Sequence, residues 1–136
     1  MNLGIICDAW LFINTQAIIW LLSEPDKLSN KAKQIIQNPN NPLYYSLLSM
    51  NEIAIKASIG KLIIDDNWQD IFEKLLAQKN IVKLDMTWDT IKILQNLPFY
   101  HKDPFDRMLI SHAIANDLAF ISSDGHCASY DLMVVW

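Results

Sequence analysis

Leu11-Phe12-Ile13-Asn14-Thr15-Gln16-Ala17-Ile18-Ile19-Trp20-Leu21-Leu22 is the stretch on which the reading of this chain turns. Its opening residues are apolar and β-prone, and with Asp8 interrupting the apolar residues upstream they predict a strand over 10–13. Asn14 is polar and breaks the run, and Thr15 can cap a helix over 16–22. A strand that feeds straight into a helix, with no two-residue hairpin turn, is the first half of a strand–helix–strand unit.

The same alternation repeats outward from that stretch. Ser29 can cap a second helix over 30–37, with Ala32, Ile35 and Ile36 on one face. A loop rich in Asn and Pro follows, then a strand over 43–46. Ser49-Met50-Asn51-Glu52 matches a capping box for a helix running to residue 59, where Gly60 ends it. A helix over 68–77, a strand over 81–84, a helix from a Thr87 cap to 97, a helix over 106–116 and strands over 119–122 and 133–136 complete the series. The expected fold is a single-domain α/β protein, a three-layer α/β/α sandwich with a mostly parallel sheet of about five strands. Residues 11–136 form that domain and residues 1–10 are an N-terminal extension.

Composition narrows the function. The chain has 136 residues, 51% of them hydrophobic and 19% charged, with 11 Lys+Arg against 15 Asp+Glu for a net charge of −4. Disorder is excluded by the apolar content, and a protein that holds polyanions by bulk charge is excluded by the sign. Cys7 and Cys127 are too far apart in sequence to read as a disulfide framework or a zinc motif, so a reducing cytoplasm is expected. The longest apolar run, residues 17–22, is far short of a membrane span, and the N-terminus has no basic n-region of a signal peptide. Gly4, Gly60 and Gly125 are the only glycines, so no glycine-rich phosphate loop exists.

In an open parallel sheet, ligands bind outside the carboxyl ends of the strands. The polar residues expected there are Asn14 and Thr15, the segment from Ser46 to Glu52, a loop with His101, Lys102, Asp103, Asp106 and Arg107, and Ser122, Ser123 and Asp124. Each also has a purely structural reading. Glu52 fits a capping box and an i,i+4 pair with Lys56. Asp103-Pro104-Phe105-Asp106 fits an N-cap, a proline at the first helical position and an acid at the positive helix end. Asp124-Gly125 is a turn dipeptide, and Asn14 a strand-end turn former. His112 reads as a core histidine, His126 as a loop residue, and the tryptophans as core. The functional reading is collective: carboxylates gathered at one sheet edge repel unless a divalent cation lies between them. Mg²⁺ or Mn²⁺, with oxygen ligands and retained waters, suits such a set and supports phosphodiester hydrolysis.

Four segments carry a specific resemblance: FINTQAIIWLLSEPDKLS from residue 12, SLLSMNEIAIKASIGKL from 46, LPFYHKDPFDRMLISHAIA from 97 and FISSD from 120. In this order and spacing the chain resembles the PIN-domain family, in particular the toxin ribonucleases of VapBC toxin–antitoxin pairs. The resemblance implies a parallel α/β/α sandwich whose edge acids bind Mg²⁺ (or Mn²⁺) to cut RNA. It also implies a homodimer and a VapB-like antitoxin laid over the cleft. Matched one at a time, the second, third and fourth family acids fall on Glu52, Asp106 and Asp124. Thr15 and Ser122 match supporting hydroxyl positions, and Asp103 supports the same helix end. Lys56, Lys102 and Arg107 are candidate RNA contacts.

The first acid falls on Asn14. An amide oxygen can ligate a metal, but it brings no charge and is not a base at ordinary pH. Asp8 is no substitute, being about 20 Å upstream along an extended strand. The expectation is therefore a metal-dependent endoribonuclease with catalytic residues Asn14, Glu52, Asp106 and Asp124, impaired by the first of them. The alternative is a non-cleaving PIN-fold protein that binds antitoxin or RNA. A phosphoryl-transfer enzyme ranks last, because that chemistry wants an aspartate ending the first strand.

Overall fold

Period-two alternation in five short strands builds two separate cores on one sheet. The computed structural model describes residues 10–136. Its strands are β1 (Leu11–Ile13), β2 (Leu43–Tyr45), β3 (Ile81–Lys83), β4 (Ala119–Ile121) and β5 (Val134–Val135). They form a five-stranded sheet in the order β3-β2-β1-β4-β5. All pairings are parallel, with Phe12 opposite Tyr44 on one side and Phe120 on the other. Leu11 and Ile13 of β1, Leu43 of β2, Ile121 of β4 and Val135 of β5 enter one core. Their neighbours Phe12, Tyr44, Phe120 and Val134 enter the other.

The helices are α1 (Thr15–Ser23), α2 (Asn30–Gln37), α3 (Leu47–Ser58), α4 (Trp68–Gln78), α5 (Trp88–Asn96) and α6 (Pro104–Ala115). Ile18, Ile35, Ile53 and Phe72 from α1–α4 cover the first face, while Ile93 of α5 and Leu109, Ile110 and Ala113 of α6 cover the second. The three-layer α/β/α sandwich expected from the alternation is the observed fold. Strand ends lie within a residue or two of those read from the sequence. Residues 1–9 of the expected extension, with Cys7 and Asp8, lie outside the described residues.

Two caps differ from the sequence reading. α1 is capped by Asn14, whose Oδ1 accepts from Ala17 N at 2.8 Å, so Thr15 is the first helical residue. α3 begins at Leu47 with Ser46 as its cap, three residues before the expected box. Ser49 and Glu52 are thus inside the helix and buried, and Glu52 is not a capping residue. α6 is capped as expected, Asp103 Oδ1 accepting from Asp106 N, with Pro104 in its first turn.

The tryptophans divide. Trp68 is core and Trp20 packs against Trp136 with the rings tilted, but Trp10 and Trp88 are exposed at 54% and 79%, a correction to the expectation that all are core. His112 is buried at the sheet, with Nε2 at Asp85 O, and burial lowers its pKa. Among the described residues no helix is long and apolar enough to cross a membrane.

Candidate metal centre

The strand order places the site. Successive strands β1, β2 and β3 step one way across the sheet, and β4 and β5 lie on the other side of β1. Connections leaving β1 and β4 therefore diverge, and a crevice opens at their carboxyl ends. Asn14 ends β1 and Ser122–Asp124 follow β4, so both border this opening. α3 brings Glu52 and Lys56 to it, and the start of α6 brings Asp103 and Asp106. Asn14, Thr15, Glu52, Asp103, Asp106 and Asp124 line this single cleft of about 350 Å³. A second hollow of about 390 Å³, bounded by Tyr45, Leu47, Trp68, Leu76, Glu73 and Lys83, gathers no acids beyond Glu73.

On the β1 side every polar group is matched. Asn14 Oδ1 caps α1, and Nδ2 donates to Ser122 Oγ at 2.9 Å, tying β1 to β4. The acceptor end must be the one facing Ala17 N–H, which fixes the amide orientation. Thr15 Oγ1 donates to Ser49 Oγ at 3.0 Å, joining α1 to α3. Ser122 Oγ also accepts from Asp124 N at 3.1 Å.

The opposite side is crowded and incompletely paired. Glu52 Oε2 meets Lys56 Nζ at 2.6 Å, but the buried Oε1 has no partner. That hydrogen bond raises the Lys56 pKa against the lowering effect of its own burial. Burial, then the neighbouring charge of Asp103, pushes the Asp106 pKa up to about 6; Glu52 and Asp124 act the same way and His101 opposes them. Burial also works to raise Asp124, yet hydrogen bonds from His126 N–H and from the His101 and His126 rings hold its pKa below the ordinary value.

His101 is the residue that the sequence identified only as one polar member of its loop. Its Nε2 lies 2.6 Å from Asp124 Oδ2 and 3.1 Å from Asp106 Oδ2. Its Nδ1 accepts from Asp103 N at 3.1 Å, which assigns the ring proton to Nε2, facing the acids. No local pattern points to this role, because the Asp124 contact spans 23 positions. Lys61 also lines the cleft and was not singled out by sequence.

Two of the candidate RNA contacts stand elsewhere. Arg107 is buried, donating from Nη1 to Pro98 O at 2.9 Å and from Nη2 to Leu97 O at 3.1 Å, with its guanidinium 3.7 Å over the Phe99 ring. Those carbonyls and that ring take up its fork, so Arg107 anchors the His101 loop rather than offering charge to a phosphate. Tyr130 completes the anchor, accepting from His101 N and donating to Pro98 O. Lys102 is exposed and not part of the cleft lining.

A buried orphan carboxylate oxygen, beside an acid whose charge its neighbours disfavour, fits a divalent cation with oxygen ligands. Glu52, Asp106 and Asp124 are the carboxylates that could hold one, while Asp103 caps α6. Asn14 contributes no charge and has both ends of its amide engaged.

A family model described as PIN domain matches residues 11–131. No curated protein matches the chain by sequence. Solved structures with similar folds include VapBC2 from Rickettsia felis bound to a DNA fragment from their promoter, at TM-score 0.69 and 15% identity over 91% of this chain and 96% of that one. VapBC-1 from nontypeable Haemophilus influenzae aligns at TM-score 0.65 and 19% identity, over 91% and 95% of the two chains. FitAcB from Neisseria gonorrhoeae aligns at 0.60 and 15%, with the same coverage. At such identities the likeness is one of fold.

Proposed function

The chain belongs to the PIN domain family, and we propose that it is a VapC-type toxin, a Mg²⁺- or Mn²⁺-dependent endoribonuclease paired with a VapB-like antitoxin and weakened at Asn14. The observation that carries this reading is the buried, unpartnered Oε1 of Glu52, a residue that lines one cleft with Asp106 and Asp124. Those three carboxylates hold the cation. When bound, it supplies a water of lowered pKa and positive charge for the departing oxygen. Burial and the neighbouring acids push the Asp106 pKa up to about 6, and a bound cation would offset them and hold the carboxylate ionised. Lys56 and Lys61 offer cations to RNA phosphates at the cleft, with Lys102 on the adjoining loop. Thr15 and Ser122 hold the strand ends that frame the site. Exposed Trp88, Ile91, Phe99 and Tyr100 support burial against a second copy or the antitoxin, as does the likeness in fold to VapBC structures.

A non-cleaving binding module is the second reading. It is favoured by the complete internal hydrogen bonding of Asn14 where the family has an acid. Cleavage of a fluorescent RNA panel in Mn²⁺ and in EDTA separates the two. The enzyme reading expects cutting in Mn²⁺, none in EDTA, and a loss of roughly tenfold or more in Glu52→Gln and Asp106→Asn. Saturable RNA or antitoxin binding with no cutting in either condition makes the second reading correct.

A further inference from the structure

We propose that His101, Asp124 and Cys127 form a site for a borderline-soft divalent cation of the Zn²⁺ or Co²⁺ kind, with water completing the tetrahedron. Each of the three places a donor atom within 4.8 Å of the other two. His101 Nε2 already touches Asp124, at 2.6 Å. Tetrahedral zinc separates its ligand atoms by about 3.3–3.7 Å, so small side-chain rotations close the set. Cys127 is fully buried beside the end of β4, its Sγ 3.8 Å from Ser122 Oγ, and no step of RNA cleavage uses it.

The donor chemistry selects the ion. Mg²⁺ and Mn²⁺ prefer oxygen, whereas an imidazole nitrogen with a thiolate sulfur and a carboxylate suits zinc and cobalt. Burial pushes the Cys127 thiol up to about 11, so the thiolate forms with the cation and its proton is released on binding. Coordination through Nε2 moves the ring proton to Nδ1 and gives up the bond from Asp103 N. An ion held this way engages Asp124, so it and a hard cation compete for that carboxylate. The site shares Asp124 with the cleavage reading, but the test follows the Cys127 thiolate and involves no RNA, so the two can fail separately.

Titrate Co²⁺ into the full chain carrying Cys7→Ser, which leaves Cys127 as the only thiol. One equivalent should produce the visible bands of four-coordinate cobalt and a near-ultraviolet thiolate-to-cobalt band, and Zn²⁺ should erase both. Adding Cys127→Ser should remove the near-ultraviolet band and weaken Co²⁺ binding tenfold or more. His101→Gln, which keeps the thiol, should weaken it comparably with the circular-dichroism melt intact, and it carries the test should Cys127→Ser fail to fold. Absence of the near-ultraviolet band in the Cys7→Ser chain, or undiminished Co²⁺ affinity in His101→Gln, overturns the proposal.

Discussion

The two walls of the cleft differ in how completely their polar groups are satisfied. Around Asn14 the side chains are tied to one another and to the backbone: amide to Ala17 and Ser122, Thr15 to Ser49, Ser122 to Asp124 N. Around Glu52, Asp106 and Asp124, one buried oxygen is orphaned, one carboxyl is pushed up to about 6, and one histidine nitrogen lies within 3.1 Å of two acids. The first wall is tied together by these bonds, whereas the second leaves a buried carboxylate oxygen without a partner. Residues from one cleft can therefore be structural or ligand-seeking, and hydrogen-bond satisfaction tells them apart better than proximity.

The largest effect should come from removing what holds the second wall in place. Arg107→Ala withdraws donors from the Leu97, Pro98 and His101 carbonyls and a cation from Phe99. We expect a loss of about 2–4 kcal/mol in urea unfolding. A loss under about 1 kcal/mol would mean that the His101 loop is held by other contacts.

Next is Asp106→Asn. The folded-state pKa near 6 lies above the ordinary 3.8, so the folded chain binds more protons than the unfolded one between those values. The ionised group therefore lowers stability above about pH 6, and the penalty disappears as pH falls below about 4. In EDTA at pH 7.5 the variant should be more stable than the parent by on the order of 1–2 kcal/mol, a full-shift figure discounted for partial exposure. At pH 4 the two should unfold alike, and Mn²⁺ should reverse the order at pH 7.5. Equal stabilities at pH 7.5 in EDTA would show that the acids do not repel. The smallest effect belongs to Lys56→Met. Its ammonium is half in water but its partner Glu52 is buried, so the cost in EDTA should be about 1 kcal/mol. Mn²⁺ should shrink it, since the cation takes over the neutralisation.

The sandwich was legible because apolar, β-prone runs at 11–13, 43–45 and 119–121 alternate with capped amphipathic helices and no two-residue hairpin joins one strand to the next. The acids were legible only as strand-end residues and by family resemblance. Two registers were misread for a physical reason: serine, threonine and asparagine all cap helices, and neighbouring candidates compete. At α3 the match Ser49-x-x-Glu52 is genuine by pattern, yet Ser46 caps first, and Thr15 Oγ1 holds Ser49 from across the fold. Arg107 was a candidate RNA contact simply as a cation next to the expected acids, whereas its fork is taken up by carbonyls of a loop up to ten positions away, a tertiary fit with no local pattern. His101 was not assigned a role because its acids come from two other elements.

Asn14→Asp tests the contrast between the walls most directly. The new carboxylate can keep the cap to Ala17 N–H, and Ser122 Oγ can turn to donate to it. It adds a charge to the cleft where the present amide has none. At about 4 Å from a cation a unit charge is worth roughly 4 kcal/mol at an effective dielectric of 20. With most of that offset by desolvation and by repulsion from Glu52, Asp106 and Asp124, about 1.4–3 kcal/mol remains, or one to two decades in affinity or rate. Measure Mn²⁺-dependent RNA cleavage and the Mn²⁺-induced melting shift for both proteins, each against EDTA. The account predicts cleavage raised at least tenfold and a larger melting shift in the variant. Unchanged cleavage together with an unchanged shift would contradict it, placing residue 14 outside the reach of the cation.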